Sequence, residues 1–393
     1  MRTLKKQAKR HGNLVLSQKA DIKIMDKITF EKYFSDVETE EKYSGYFYSV
    51  PDAIAIAILG TFCGLCNMKQ IIQWANDERI RVFLREHFAI YDVPCYSWFT
   101  QILGNIKPES FNERFIKWVT SMVGGLNEKT LSLDGKAVRS TAKRKNYDNP
   151  LHIVSAQLAE LGITVGQKAV ADKSNEIPAV RDLLDLLEIK GCLILADALN
   201  CQKETVRKIV DGGADYLPPV KGNNSSLETD IAEYVEDAEL RKNMDSATTI
   251  EKNRDRIEKR TAYTTGDVAW ISGFEDWANL SCIGAINTRF ETANGTSNEW
   301  HYYISNKKLS AQQLLDSARK EWSVESMHWL LDMRFSEDSF RAAEQRTQEN
   351  MNIIRKIVLN QIRKYKNANN VKTPFSTLMF ACLLNPAFIL NFL

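Results

Sequence analysis

The sequence predicts an α/β protein: a mixed sheet flanked by helices, preceded by an all-helical domain and interrupted by a β-rich insertion. Three observations predict it. Through the first third of the chain, apolar residues fall at three- and four-residue steps, the spacing of helices that bury one face. From residue 130 onward, short β-branched and aliphatic runs alternate with helical stretches, the rhythm of a sheet covered by helices. Between about 222 and 305 that rhythm gives way to alternating segments punctuated by turn residues, the pattern of an antiparallel sheet.

The helical domain spans residues 1–125. Its helices are expected at 30–34, 51–74, 77–88, 98–103 and 108–123, separated by polar or proline-containing breaks such as Asp92-Val93-Pro94. It ends at Gly124-Gly125-Leu126-Asn127, where the periodicity changes. In the second domain, 126–393, strands are expected at 130–133, 151–158 and 162–170, then a helix at 176–187, a strand at 192–196, a helix at 202–211 and a strand at 215–220. Three consecutive strands followed by helix, strand, helix, strand is the order of a ribonuclease H-like core. The insertion follows. Its polar start at 223–241 leads to strands at 257–264, 281–289 and 300–305, with turns at Thr265-Gly266-Asp267 and Asn294-Gly295. Helices at 310–320 and 321–334 resume the α/β pattern.

Composition narrows the function classes. A chain of 393 residues with 44% hydrophobic content can bury a large core. Net charge is +2 and the isoelectric point about 8.0, so an argument for nucleic-acid binding must rest on local clusters. One such cluster, Arg2, Lys5, Lys6, Lys9 and Arg10, opens the chain and reads as a solvated terminus before it reads as a nucleic-acid arm. No apolar signal segment follows it. The apolar stretches at 53–66 and 378–393 are shorter or more interrupted than the roughly 20 residues a membrane helix needs, so a cytoplasmic protein without membrane association is expected. Seven scattered cysteines fit a reducing compartment. Cys63 and Cys66 form a C-x-x-C inside an apolar helical pattern with no second pair, and read as core rather than as a zinc or redox site.

Candidate chemistry begins at the strand 192–196, which is bounded by Gly191 and Asp197. Ligands of open α/β sheets bind beyond the carboxyl ends of the strands, so Asp197 is placed for metal or substrate, or else caps the helical turn that follows. In the sheet order above the first and fourth strands lie side by side, which brings Asp134 next to Asp197. A third acid, Glu325, shares a helical face with Trp322, Trp329 and Asp332, beside an apolar ridge of Val324, Met327 and Leu331. That is a carboxylate pinned between rings, or the rim of ordinary packing. Lys136, Arg139, Lys143, Arg144 and Lys145 follow the first acid; Lys252, Arg254, Arg256, Lys259 and Arg260 open the inserted strands, interleaved with acids. Both clusters suit phosphate contact or a solvated surface.

Ordered motifs add a family. Leu133-Asp134-Gly135-Lys136, Lys173-Ser174-Asn175-Glu176-Ile177-Pro178, Ala196-Asp197-Ala198 with Cys201-Gln202-Lys203, Gly213-Ala214-Asp215-Tyr216, Val220-Lys221-Gly222-Asn223, and His328-Trp329-Leu330-Leu331-Asp332 with Phe335-Ser336-Glu337-Asp338 occur in sequence. With them the chain resembles the DDE transposases of the H-repeat-associated (ISAs-type, Rhs-element-associated) insertion-sequence family. The resemblance implies a catalytic and metal-binding triad of Asp134, Asp197 and Glu325. It implies two Mg2+ ions, with Mn2+ as a substitute, held in a two-metal arrangement with Asp134 between them. The substrates implied are double-stranded DNA at the terminal inverted repeats and at the target, engaged by a homodimer in the cytoplasm at the nucleoid, with DNA bound also by the amino-terminal domain. Lys136, Arg139, Lys143, Arg144, Lys221, Arg256 and Arg319 are the expected DNA contacts, and Asn200, Lys221, Arg319 and Asp332 the expected supports of the acids. Glu321 stands where the family usually has His, Asp255-Arg256-Ile257-Glu258 replaces a His-Gly-Arg-Ile-Glu run, and Pro94-Cys95-Tyr96-Ser97 replaces a Pro-Ser-His-Asp-like segment. Two other functions stay open: an inactive or domesticated DNA-binding remnant, and a metal-dependent nuclease without strand transfer.

Overall fold

The structure is a computed structural model that describes residues 27–41, 48–139, 150–170, 175–253, 256–292, 295–321, 323–342 and 344–393. The chain is mixed α/β, with helices around two five-stranded sheets. Among the described residues six helices come first: α1 (Lys27–Phe34), α2 (Val50–Phe62), α3 (Met68–Ala75), α4 (Glu78–Phe88), α5 (Tyr96–Asn105) and α6 (Pro108–Val123). Side chains of Ser49, Asn67 and Asp77 accept hydrogen bonds from the first turns of α2, α3 and α4. The single helix expected at 51–74 is two. Gly64 takes φ of +77°, which turns the chain out of α2, and Asn67 caps a fresh start.

The first sheet has the order β3-β2-β1-β4-β5, built from β1 (Thr130–Val138), β2 (Leu151–Leu158), β3 (Ile163–Ala169), β4 (Leu193–Ala196) and β5 (Asp215–Tyr216). β1 is antiparallel to β2 and parallel to β4, which is parallel to β5. This is the neighbour relation expected of the first and fourth strands. β1 continues through Gly135 and Lys136 because these pair with Val154 and Ile153, so it runs beyond the expected end at 133. Helices α7 (Glu176–Leu186) and α8 (Lys203–Asp211) connect the parallel strands.

The expected strand at 215–220 splits. β5 pairs with β4, whereas β6 (Pro219–Val220) pairs with β10 (Gly295–Ser305) of the second sheet. That sheet has the order β6-β10-β9-β8-β7, with β7 (Asp245–Asn253), β8 (Arg256–Thr265) and β9 (Cys282–Thr292) antiparallel. Two helices, α9 (Ser225–Glu236) and α10 (Ala238–Lys242), occupy the stretch expected only to be polar. α9 buries a thin stripe, Leu227, Ile231 and Val235, and leaves the rest to solvent.

The chain returns through α11 (Ala311–Glu321) and α12 (Ser323–Phe335) to α13 (Gln345–Ala368) and α14 (Phe375–Leu384). α13 is buried on every side from Met351 to Ile362. Its Asn350 Nδ2 donates to the carbonyls of Leu103 and Ile106 (2.9 and 3.0 Å) at one end, and Asn360 exchanges hydrogen bonds with the backbone of Thr164 on β3 (2.7 and 2.9 Å) at the other. Among the described residues, no helix is long and apolar enough to cross a membrane.

Candidate active site

The site begins with a register. Leu133 on β1 is the partner of Ala196 on β4 in a parallel ladder, so Asp134 and Asp197 follow at adjacent strand positions. β4 ends at Ala196, and Asp197 caps the 3-10 turn Ala198–Asn200: its Oδ1 accepts from the Asn200 backbone N–H (3.2 Å) and from Asn200 Nδ2 (2.7 Å). The cap and the candidate site residue are thus one and the same.

α12 delivers the third acid across β1. The Ser132 hydroxyl donates to the Glu321 carbonyl (3.3 Å), Thr164 Oγ1 contacts Met327 Sδ (2.8 Å), and His328 Nε2 lies 3.1 Å from Asp134 Oδ2. That last contact is close without the alignment of a hydrogen bond, for both His328 ring nitrogens are buried and lack one. Glu325 sits one turn before His328, in the first turn of α12, and is exposed. The ridge Val324, Met327 and Leu331 is buried as expected. Of the two rings expected beside Glu325, Trp329 is 54% exposed, and Trp322 lies outside the described residues.

Residues that sequence reasoning missed complete the acidic face. Glu176, in the first turn of α7, is buried, and its Oε1 accepts from Asn200 Nδ2 (3.0 Å) while Oε2 lies 3.4 Å from His152 Nε2. Burial, then Asp197, then Asp134 push its pKa up to about 7 against the opposing Asn200 hydrogen bond. Glu321 is pushed to about 7 by burial and by Asp197, Asp134 and Glu325, with Lys221 opposing. Burial holds His152 below the usual imidazole range although Asp134 pulls the other way. Glu176 lies in one of the ordered motifs, Lys173 to Pro178, but nothing in the sequence sets it or His152 beside the aspartates; in the structure a Cβ on Gly135 would run into Glu176 Oε2 and come within 2.6 Å of His152 Nε2.

Asp134 and Asp197, where the parallel β1–β4 ladder ends, offer carboxylate oxygens of the kind a hard divalent cation takes, but with Glu325 they do not form a group whose oxygens all lie within 4.8 Å of one another. A different trio, Asp332, Glu337 and Asp338, is the one group among the described residues whose oxygens all lie within 4.8 Å of one another. There the cation is already supplied. Lys136 Nζ pairs with Asp332, with Glu337 (2.6 Å) and with Asp338 (3.9 Å). Burial opposes its charge, yet these carboxylates, Glu337 foremost, hold its pKa above the ordinary value.

Of the residues expected at the site, Lys136 is 14% exposed and pairs with these carboxylates, and Asp332 pairs with Lys136. Asn200 does support an acid, as expected. Arg139 is exposed beside Asp338 (3.7 Å). Lys143, Arg144, Lys145, Arg254, Lys173 and the amino-terminal basic cluster lie outside the described residues. Lys221, Arg319, Arg260 and His301 line a cleft of about 240 Å³ between the second sheet and α11–α12, which Glu321 and Glu325 also border. Arg319 pairs with Glu251, and Arg256 lies 3.5 Å from Glu258 and 4.9 Å over the Phe290 ring. Cys63 and Cys66 are free thiols of the helical part, Cys63 buried.

Comparison with known proteins adds the following. The family model described as "Transposase DDE domain" matches residues 126–361, and a DDE_Tnp_1-associated model matches residues 31–119. "Putative transposase YncI" of Escherichia coli O157:H7 is 28% identical over 328 residues, 81% of this chain and 83% of that one. "H repeat-associated putative transposase YhhI" of Escherichia coli (strain K12) is 30% identical over 276 residues, 68% of this chain and 73% of that one. A solved piggyBac transposase synaptic complex with hairpin DNA aligns over 93% of this chain and 81% of its own, at a TM-score of 0.42 and 10% identity, too distant a likeness to carry weight.

Proposed function

The chain belongs to the transposase DDE domain family, and on that premise we propose that it cleaves DNA at the ends of an insertion sequence and joins the freed 3′-hydroxyls to target DNA. Residues 126–393 are then a ribonuclease H-like catalytic domain with its β-rich insertion at about 222–305, and residues 1–125 a helical DNA-binding domain. Asp134, Asp197 and Glu325 would hold two divalent cations, Mg2+ or Mn2+, which when bound activate the attacking oxygen and stabilise the leaving one. The observation that supports this most is the Leu133–Ala196 register, which sets the two acids at adjacent positions where the parallel β1–β4 ladder ends.

The chain's own residues divide the remaining work. Asn200 orients Asp197, and His328 stands against Asp134. Lys221, Arg256 and Arg319, in and around the cleft beside Glu325, would neutralise the phosphates of a strand leaving the site, with Arg139 on the other side of β1. Handling two element ends calls for a homodimer on DNA, in the cytoplasm where the nucleoid is. A metal-dependent nuclease that stops after cutting is the second reading. Glu321 favours it, because an additional carboxylate borders the site where the resemblance leads one to expect His.

Purified protein incubated with labelled inverted-repeat ends and Mg2+ or Mn2+ decides between them. Joined products support the transposase, nicking alone the nuclease, and a metal-independent gel shift without cleavage a DNA-binding remnant. Asp197→Asn should bind DNA with wild-type affinity and lose cleavage. Equal cleavage by variant and wild type would remove Asp197 from the triad.

A further inference from the structure

We infer that Glu176 is the positioning residue of the acidic site, locking Asp197 through Asn200 while its carboxylate packs over the β1 backbone beside Asp134. The inference rests on the reading of those aspartates as the metal-holding acids. Three elements meet in this one side chain. Glu176 comes from α7, Asn200 and Asp197 from the turn after β4, and Gly135 from β1.

Asn200 is 2% exposed and Glu176 8%. The Asn200 Nδ2 group has two protons, and it donates toward Glu176 Oε1 at 3.0 Å and Asp197 Oδ1 at 2.7 Å. Its side chain is thereby fixed from both ends, and Asp197 Oδ1 is fixed with it. The other Glu176 oxygen occupies the space where a Cβ on residue 135 would sit, against His152 Nε2 at 3.4 Å. Asn200 Oδ1 is buried without a hydrogen-bond partner. A buried carboxylate beside two others is costly, and the geometry it imposes is what it contributes: without it the short turn 198–200 would hold Asp197 by its own cap alone.

Full-length wild type, Glu176→Ala, Glu176→Gln, Asn200→Ala and the Glu176→Ala/Asn200→Ala double variant test this. In metal-free protein, amide hydrogen exchange across residues 197–203 should accelerate severalfold in Glu176→Ala and Asn200→Ala. Glu176→Gln, whose Oε1 can still accept from Asn200, should stay near wild type. Calorimetric titration with Mn2+ should show a Kd raised about 10- to 100-fold in Glu176→Ala and in Asn200→Ala, with the double variant no weaker than the weaker single. Unchanged exchange at 197–203, or additive losses in the double variant, overturns the inference. Should Glu176→Ala not fold, Glu176→Met, which keeps the volume and removes the acceptor, takes its place in both comparisons. Mn2+ binding by Asp197→Asn that equals wild type would remove the metal reading of the acids, whereas the exchange result would still decide whether Glu176 fixes Asn200.

Discussion

Gly135 shows how a single absent Cβ shapes the site. The residue lies in β1 between an acid and an inward lysine, and the space above it is filled by Glu176 Oε2 and by His152 Nε2, the latter 2.6 Å from an ideal Cβ. Neither neighbour can withdraw easily, because Glu176 is tied to Asn200 (3.0 Å) and His152 is set by its pairing in β2. Gly135→Ala should therefore destabilise the fold by about 1–3 kcal/mol, as overpacking does, visible as a lower urea midpoint with an unchanged slope. A second residue acts through charge. Glu349 is pushed to about 7 by burial and by Glu109, with Lys168 opposing. Its unfolded value is near 4.5, so the unfolded chain loses the proton first, and the stability present at low pH is lost as pH rises from about 4.5 through about 7. Glu349→Gln removes that loss. Its melting temperature should gain on wild type between pH 5 and pH 8, and an equal difference at both would show that Glu349 is not the titrating group.

At the scale of the element, α12 is held in place by charge as well as by its buried apolar ridge. Lys136 on β1 reaches Asp332 on α12 and Glu337 in the 3-10 turn just beyond it; Glu337 is 1% exposed and also contacts Asn352 on α13. Arg355 and Lys356 are fully buried nearby, Lys356 donating to Ser155 and Gln167 (2.7 Å each), and burial pushes its pKa down to about 7. Lys136→Met strands Glu337 without its nearest cation. Breaking such a buried pair costs about 3–5 kcal/mol, with Arg355 and Lys356 holding the loss toward the lower end, and Lys136→Met/Glu337→Gln should recover part of it in urea unfolding. These contacts also explain what was legible in the sequence. The run 192–196 ending in Asp197 could be read because a buried parallel strand is continuously apolar and stops abruptly. α9 and the edge strand β7 could not, since each buries only a narrow face and their composition reads as solvated. Lys136 looked like a phosphate ligand because local sequence does not say that Glu337, 201 residues away, lies beneath it.

At the scale of the whole molecule, the division into a helical domain and a sheet domain follows the sequence periodicity but not the packing. The two parts share α13. Met351, Ile353, Ile354, Ile357, Val358, Leu359 and Ile362 are at most 1% exposed, which one flanking layer alone cannot achieve around a helix; α13 packs on β3 and also on α2, α5 and α6. Its polar ends follow the same rule, Asn360 bonding to the backbone of Thr164 and Asn350 to the carbonyls of Leu103 and Ile106. Nothing within 126–393 announces this, because Asn352, Arg355, Lys356, Asn360 and Gln361 interrupt the apolar run and read as a solvated face, although all are buried. The arrangement predicts that a fragment of residues 126–393 does not fold alone. Removing α2, α5 and α6 would bare one side of α13 and leave the Asn350 amide without the carbonyls that satisfy it, a loss of several large side chains' burial at about 1.5–3 kcal/mol each against a net stability of about 5–15 kcal/mol. The fragment should elute as aggregate and lack near-ultraviolet circular dichroism under conditions where the full chain shows both a defined size and a cooperative melt. A monomeric fragment with its own cooperative transition would mean that α13 belongs to the sheet domain alone.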